Sequence, residues 1–338
     1  MIAGKSHKEV IISDVTLRDG NHAVGHQIHP ESIRAYARWA EDAGAEWVEV
    51  GHGNGLGASS FHIGKSGYPD EIMLMNAREV LTRALLSVHV MPGIARIDRD
   101  INKAIDIGVD IFRVASHCTE ANTTLKQIHH VRNSGRHAVG VLMMSHMASP
   151  NEFLYQAKLM KSAGAEAIIL MDSAGALNPD DISERFKILS AELDLPTGIH
   201  AHNNLGYATS NTIHAVKCGA KIIDACIGGF GAGAGNAQIE LLIPLLFDLG
   251  FTKVAGDEYF AVAEKAMSTF AFSPKITSLT IATGRAGIFS GFLKPIQRAA
   301  LDYGVSPFKI IEELGRRKVV AGQEDIVIEV AKYISTIK

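Results

Sequence analysis

A helix end, a glycine and an apolar strand recur four times in this chain, and that repeat limits its fold more than any other feature. It reads Glu41-Asp-Ala-Gly44-Ala-Glu-Trp-Val-Glu-Val50, then Ile105-Asp-Ile-Gly108-Val-Asp-Ile-Phe-Arg-Val114. It returns as Lys161-Ser-Ala-Gly164-Ala-Glu-Ala-Ile-Ile-Leu170 and as Val216-Lys-Cys-Gly219-Ala-Lys-Ile-Ile-Asp-Ala225. Glycine at these points suits a left-handed helix C-cap, from which the chain turns directly into the next strand. The four glycines lie 64, 56 and 55 residues apart, about twice the length of one strand–helix unit.

A second strand is therefore expected within each period, and apolar runs at 86–91, 138–144 and 197–200 supply it, with 9–14 as the opening strand. Helix starts fall where they are needed, at His29-Pro30-Glu31, at Ser149-Pro150-Asn151-Glu152 with capping-box spacing, and at Asn178-Pro179-Asp180. Eight strands, each followed by a helical segment over roughly 260 residues, predict an α/β fold of the (β/α)8 TIM-barrel type. The competing architecture is a doubly wound open sheet, but no Gly-rich dinucleotide fingerprint follows the first strand. From residue 263 onward the pattern becomes helical, at 293–303, 307–314 and 325–337. The expected division is a catalytic barrel over 1–262 and a C-terminal helical domain over 263–338 that packs on the barrel or on a partner.

Composition narrows the function. The chain has 338 residues, 47% of them hydrophobic and 20% charged, with a net charge of −3. That supports one large core with an appendage. The balanced charge, with no Lys/Arg stripe, argues against nucleic acid as a partner. No uninterrupted apolar run reaches the length of about 18 residues that a membrane span needs. Residues 1–8 lack the apolar segment of a signal peptide. Cys118, Cys218 and Cys226 are odd in number and show no paired metal spacing, which reads as reduced, buried thiols of a cytoplasmic protein.

In such a barrel, chemistry sits where strands end and loops begin. The seventh strand ends at His200-Ala201-His202, whose two imidazoles point to one side because strand side chains alternate. A His-x-His pair can be a hydrogen-bonded strand end or half a transition-metal site; a carboxylate on the same rim favours the second. Asp19, after the first strand, is that carboxylate. Asp19, His200 and His202 would form a two-His, one-carboxylate face with open positions, suited to Mn²⁺, Co²⁺, Fe²⁺ or Zn²⁺ and to a bidentate oxo acid. Arg18 beside it is a fixed cation for a developing enolate, or the partner of Asp14 or Asp19. His22 is near enough in sequence to act as a general base or acid. His52 and His146 also lie at strand ends, without an assigned role. The glycine run 228–235 fits close backbone approach to a ligand or a tight loop, and Asn236 at its end could orient a metal ligand or bind the metal.

Several of these stretches also carry a family likeness. Ile12-Ser-Asp14-Val-Thr-Leu-Arg18-Asp19-Gly20-Asn21-His22, Gly51-His52-Gly53-Asn-Gly55 through Phe61, Met171-Asp172-Ser173-Ala-Gly175, His200-Ala-His202-Asn203-Asn204, Gly231 through Asn236, Ala286-Gly287-Ile-Phe-Ser290 and Gly322-Gln-Glu-Asp325 span nearly the whole chain. Together they resemble the metal-dependent pyruvate aldolases of the 4-hydroxy-2-oxovalerate aldolase type. That type sits in a barrel superfamily with isopropylmalate synthase, homocitrate synthase and hydroxymethylglutaryl-CoA lyase. Acyl-CoA-using relatives usually place Glu-Gln or Pro-Gln where this chain has Asn21-His22.

The resemblance implies reversible cleavage of a 4-hydroxy-2-oxo acid to pyruvate and an aldehyde, in a cytoplasmic setting such as aromatic hydrocarbon catabolism. A divalent metal, Mn²⁺ or else Co²⁺ or another ion, is implied on Asp19, His200 and His202, chelated by the C1 carboxylate and C2 oxygen of the substrate. His22 would take the C4 hydroxyl proton and Arg18 would hold the enolate. Ser173, Phe289, His89 and Met91 are implied substrate contacts. Two positions depart from the family pattern: Phe289 stands where a tyrosine is usual, and His89-Val-Met91 replaces a leucine-rich run. The first puts a hydroxyl role in stereocontrol or aldehyde preference in question. The second points to an aldehyde other than acetaldehyde. The C-terminal helices imply contacts to an acylating aldehyde dehydrogenase or within a homodimer or hetero-oligomer. The alternatives are an acyl-CoA-dependent condensing enzyme of the isopropylmalate/homocitrate synthase type, a pyruvate aldolase with another aldehyde in a biosynthetic pathway, and a metal-binding barrel without turnover.

Overall fold

The structure, a computed structural model, describes residues 9–271 and 276–337. The stretch 1–8 read above for a leader, and residues 272–275 and 338 of the C-terminal part, lie outside the described residues. Eight parallel strands close in sequence order into a barrel. They are β1 (Ile11–Asp14), β2 (Trp47–Glu49), β3 (Leu85–Val90), β4 (Ile111–His117), β5 (His137–Met143), β6 (Ala167–Asp172), β7 (Thr197–Ala201) and β8 (Ile222–Ala225). Helices α1 (Pro30–Asp42), α2 (Asp70–Arg78), α3 (Asn102–Ile107), α4 (Leu125–Asn133), α5 (Pro150–Ser162), α6 (Pro179–Glu192), α7 (Ala208–Lys217) and α8 (Ile239–Asp248) alternate with them. The predicted barrel is the observed one.

The four repeat glycines behave as their positions require. Gly44, Gly108, Gly164 and Gly219 have φ of 103°, 98°, 102° and 108°, in the left-handed region a side chain resists. His29, Ser149 and Asn178 each cap the helix that starts at the following proline. The reciprocal capping box, however, forms at Asn178 with Asp181. At Ser149 only half of it forms, because the Glu152 carboxylate accepts from Gln156 Nε2 at 2.7 Å.

Alternation along the strands divides the apolar side chains into two cores. Ile12, Val48, Leu86, Val88, Phe112 and Val114 face the helices. Ile11, Trp47, Ile111, Val139, Ala167, Ile169 and Ile222 fill the inside of the barrel. This inner core continues through Met143, Met144 and Met171 at the strand ends to Ile288, Phe289, Phe292 and Ile296. The C-terminal helices therefore sit over the rim where the strands end.

Those helices are α9 (Asp257–Phe270), α10 (Ser278–Arg285), α11 (Leu293–Asp302), α12 (Pro307–Arg316) and α13 (Glu324–Thr336). In α13 the buried Val327, Val330, Ala331 and Ile334 follow helical spacing. The expected division at 262 falls inside α9, which packs against α1 and α8. All three cysteines are free; Cys118 and Cys226 are buried, whereas Cys218 is half-buried. Among the described residues no helix is long and apolar enough to cross a membrane.

Candidate active site

Asp19, His200 and His202 converge at the strand-end rim, and one ligand atom from each lies within 4.8 Å of the others. Each is held by a different local device. Asp19 opens a short 3-10 turn after β1, where its Oδ2 accepts from Arg18 Nη1 at 2.6 Å and its Oδ1 from the Ala232 amide at 2.9 Å. His200, at the end of β7, sets its Nδ1 2.9 Å from Asp224 Oδ2, and its Nε2 lies 3.4 Å from Asp19 Oδ2. His202 forms an isolated bridge with Asn236. Gly231 in the glycine-rich loop lets the backbone close over this set: a Cβ there would stand 2.5 Å from Asn236 Nδ2 and 2.9 Å from Asp19 Oδ1.

The chemistry of these donors fits a divalent ion. His200 Nε2, His202 Nδ1 and Asn236 Oδ1 are all buried without a hydrogen-bond partner, an expensive condition for a protein interior unless something else meets them. Asn236 Nδ2 is already spent on Cys226 Sγ at 3.2 Å and Phe230 O at 3.3 Å, which leaves the oxygen free for the same centre. Burial opposes a charge on Asp19, yet Arg18 and the imidazoles hold its carboxyl well below the usual range. Burial pushes His202 down to about 3, so its ring is neutral near pH 7.

Arg18 is clamped on three sides, with Nη1 donating to Asp19, Nε to Glu49 Oε2 at 2.7 Å, and Nη1 also to Gly53 O at 3.3 Å. Its Nη2 is buried and unpartnered. Of the two partners expected from sequence, Asp19 is engaged and Asp14 is not. Asp14 instead accepts from the Thr16 amide and from Tyr36 Oη at 2.7 Å.

His22 is half-buried at the wall of a cavity of about 190 Å³ that also includes His26, Asn54, Phe289 and Lys294. Burial lowers its pKa to about 4, with Asp19 acting in the opposite direction, so the ring is neutral near pH 7 and able to accept a proton. Its edge meets His26 at 5.0 Å, and His26 stacks on His52 at 3.6 Å. His52 bonds to Gly64 O at 3.0 Å and His146 to Gly287 O at 3.2 Å, so both hold backbone in place.

A second cavity, of about 320 Å³, adjoins the first, and both are lined by Asn54, Ile63, Phe289 and Glu324. Phe289 thus stands between them. Met91 lines the second cavity. His89 lines neither: it is 2% exposed, with its Nδ1 3.9 Å from Glu49 Oε1 inside the barrel. Ser173 is fully buried, where its Oγ accepts from the Met144 amide at 3.0 Å and its carbonyl from the Ser290 amide at 3.0 Å. It fixes the ends of β5 and the Phe289 segment.

Arg113 and Asp224 were missed from sequence because they lie short of the strand ends, and Glu49, which closes β2, drew no role there. Glu49, Arg113 and Asp224 stand two residues beyond Trp47, Ile111 and Ile222, respectively, which fill the barrel. Period-2 counting from those positions would have placed all three inside.

The chain matches two family models in series, HMGL-like over residues 9–258 and DmpG-like communication domain over residues 274–336. It is 50% identical to the 4-hydroxy-2-oxovalerate aldolase of Pectobacterium atrosepticum, covering 97% of this chain and 96% of that one. The 4-hydroxy-2-oxovalerate aldolase of Spirochaeta aurantia is 46% identical, with 99% of each covered. Among solved structures, the carboxyl transferase domain of Rhizobium etli pyruvate carboxylase superposes with a TM-score of 0.82 at 15% identity. The match covers 98% of this chain and 61% of that one, and it shows the shared fold. On the near-complete alignment to these relatives, the chain belongs to the 4-hydroxy-2-oxovalerate aldolase family.

Proposed function

We propose that this carbon–carbon lyase reversibly cleaves a 4-hydroxy-2-oxo acid to pyruvate and an aldehyde. The observation that carries the reading is the convergence of Asp19, His200 and His202 with the unpartnered Nη2 of Arg18, at a rim whose adjoining cavity holds His22. A divalent ion on the three ligands, with Asn236 Oδ1 beside them, would supply Lewis-acid polarisation of the 2-oxo group. Mn²⁺ suits the mixed carboxylate–imidazole set.

The chain's own residues supply the rest. Neutral His22 removes the proton of the C4 hydroxyl. The electron pair of that O–H bond becomes the aldehyde C=O, the C3–C4 bond breaks, and its electrons pass to C3, C2 and the C2 oxygen as the pyruvate enolate. Arg18 Nη2 donates to that developing charge from a position fixed by Glu49, Asp19 and Gly53. Return of the proton from His22 to C3, directly or through water, completes pyruvate. Phe289 and Met91 border the space for the aldehyde, and Ser173 holds that border in place. His89 faces the charged interior beside Glu49, on the pyruvate side.

The C-terminal helices, matched to a communication domain, support docking of an acylating aldehyde dehydrogenase that consumes the aldehyde. Free thiols and the absence of any described membrane-spanning helix accord with a cytoplasmic enzyme acting on small molecules. We place the domain division after α9, which packs on α1 and α8 of the barrel. The test is direct: purified protein with Mn²⁺ should release pyruvate from 4-hydroxy-2-oxo acids, read by coupled reduction. No pyruvate from any of several chain lengths, with metal bound, would overturn the assignment.

A further inference from the structure

Below the metal-ligand set the barrel interior is charged, and one guanidinium ties it together. Arg113, on β4, has no exposed surface. Its Nη2 pairs with Asp224 Oδ2 across the barrel on β8, and its Nη1 lies 3.3 Å from Glu49 Oε2 on β2. Asp224 Oδ2 is the atom that faces His200 Nδ1 at 2.9 Å. Glu49 Oε2 is the atom that accepts Arg18 Nε at 2.7 Å. A single side chain therefore touches both carboxylates that orient the site, one behind a metal ligand and one behind the arginine that meets substrate.

Burying a guanidinium this deeply is costly unless it is paired, and an apolar residue fills the same layer on the next strand, where Val139 stands in register with Arg113. The charge balance gives a reason for the arginine. Arg18 and Arg113 face Asp19, Glu49 and Asp224, which leaves one net negative charge to receive a divalent cation. Without Arg113, Asp224 would keep His200 but lose its cation, and Glu49 would keep Arg18 alone as a cation, so either carboxylate could leave the position from which it orients its partner.

We propose that Arg113 is a positioning residue that fixes the ring of His200 toward the metal and the Nη2 of Arg18 toward the substrate. The proposal rests on the metal site described above. It is distinct from a role in filling the core, because it requires the two carboxylates to act through His200 and Arg18.

The experiment compares wild type with Arg113→Lys, Arg113→Met, Asp224→Asn and the Arg113→Lys/Asp224→Asn double variant. Mn²⁺ binding to metal-free protein is measured by calorimetry, folding by circular dichroism, and kcat and KM with a 4-hydroxy-2-oxo acid. In a folded Arg113→Lys protein the Mn²⁺ Kd should rise about tenfold or more, the low end of what loss of a metal-bound histidine's own partner costs, because Asp224 is no longer held on His200. The double variant should lose less metal affinity than the two single losses combined, since both act on His200 Nδ1. A folded Arg113 variant with Mn²⁺ Kd within twofold of wild type overturns the proposal. So does failure of both Arg113 variants to fold, which would make the residue a core charge only. Wild type that binds no divalent ion overturns the metal reading and this inference with it; wild-type binding that Arg113 variants retain overturns this inference alone.

Discussion

The ring of His22 occupies the space that a Cβ on Gly53 would fill. The glycine after β2 is thereby a seat for the imidazole that follows β1, and the two loops are fitted to each other at this contact. Gly53→Ala should displace the imidazole while leaving Asp19, His200 and His202 untouched. A displacement of about 1 Å at a reacting group costs on the order of 10²-fold in rate. The expected result is a kcat lower by about that factor with unchanged Mn²⁺ affinity, read by steady-state kinetics and calorimetry on the same preparation. Wild-type kcat in the alanine variant would remove His22 from the reaction.

Deleting the base itself should be more severe. His22→Ala should lower kcat by about 10²–10⁴-fold, the range for a positioned proton acceptor. The fold should be little affected, because the ring lies at a cavity wall rather than in a core. Metal affinity serves as the control and should stay within about twofold of wild type. A variant with unchanged pyruvate release would show that another group takes the hydroxyl proton.

Much of this site was legible in the sequence, and what was legible had a local cause. Gly44, Gly108, Gly164 and Gly219 mark helix ends because only glycine is comfortable at the positive φ required there, and counting between them gives eight strands. His200 and His202 share a side by strand alternation. Asp19 could be joined to them because a closed barrel brings the ends of β1 and β7 to one rim. The rest depended on distances across the barrel, which no local pattern encodes. Nothing near Arg113 in the chain names Asp224 or Glu49 as its partners. Nor could the sequence show that His89 lies beside Glu49 instead of lining a cavity, since a one-strand alternation gives its side but not its depth.

Phe289 stands between the two cavities, packed edge-on against Phe292 at 5.5 Å. Phe289→Ala should join the two spaces and favour longer aldehydes. Discrimination in an apolar pocket amounts to about 1–3 kcal/mol per methylene, so kcat/KM for a chain longer by one or two carbons should rise about tenfold or more relative to the shorter one. The same change should destabilise the protein by about 3–5 kcal/mol, because a buried ring is lost from the core that joins barrel and C-terminal helices. Kinetics across a series of aldehydes in the condensation direction would read the first effect, and urea unfolding the second. An unchanged chain-length preference would place the aldehyde elsewhere.

Asp14 should make the enzyme lose stability as the pH rises. Burial pushes its carboxyl up from 3.8 to about 6, against the hydrogen bonds from Thr16 and Tyr36 that favour ionisation. The unfolded chain releases this proton near pH 4 and the folded chain near pH 6, so between those values the folded state binds more protons. Stability from this group is therefore greatest below about pH 4, falls through the window from about 4 to about 6, and is constant above it. The fall amounts to as much as about 3 kcal/mol for a group without solvent screening. Asp14→Asn removes the titration yet preserves the contacts: Oδ1 still accepts from the Thr16 amide, Nδ2 can donate to Tyr36 Oη, and the Tyr36 hydroxyl can turn to Thr16 Oγ1, 3.0 Å away. Burial also raises Asp172, to about 7, so the wild-type curve alone does not isolate Asp14. The difference between wild-type and Asp14→Asn urea midpoints, measured from pH 4.5 to 7.5, does. It should grow in favour of the asparagine variant up to about pH 6 and then level off; parallel curves would mean that Asp14 ionises at the same pH in the folded and unfolded chain.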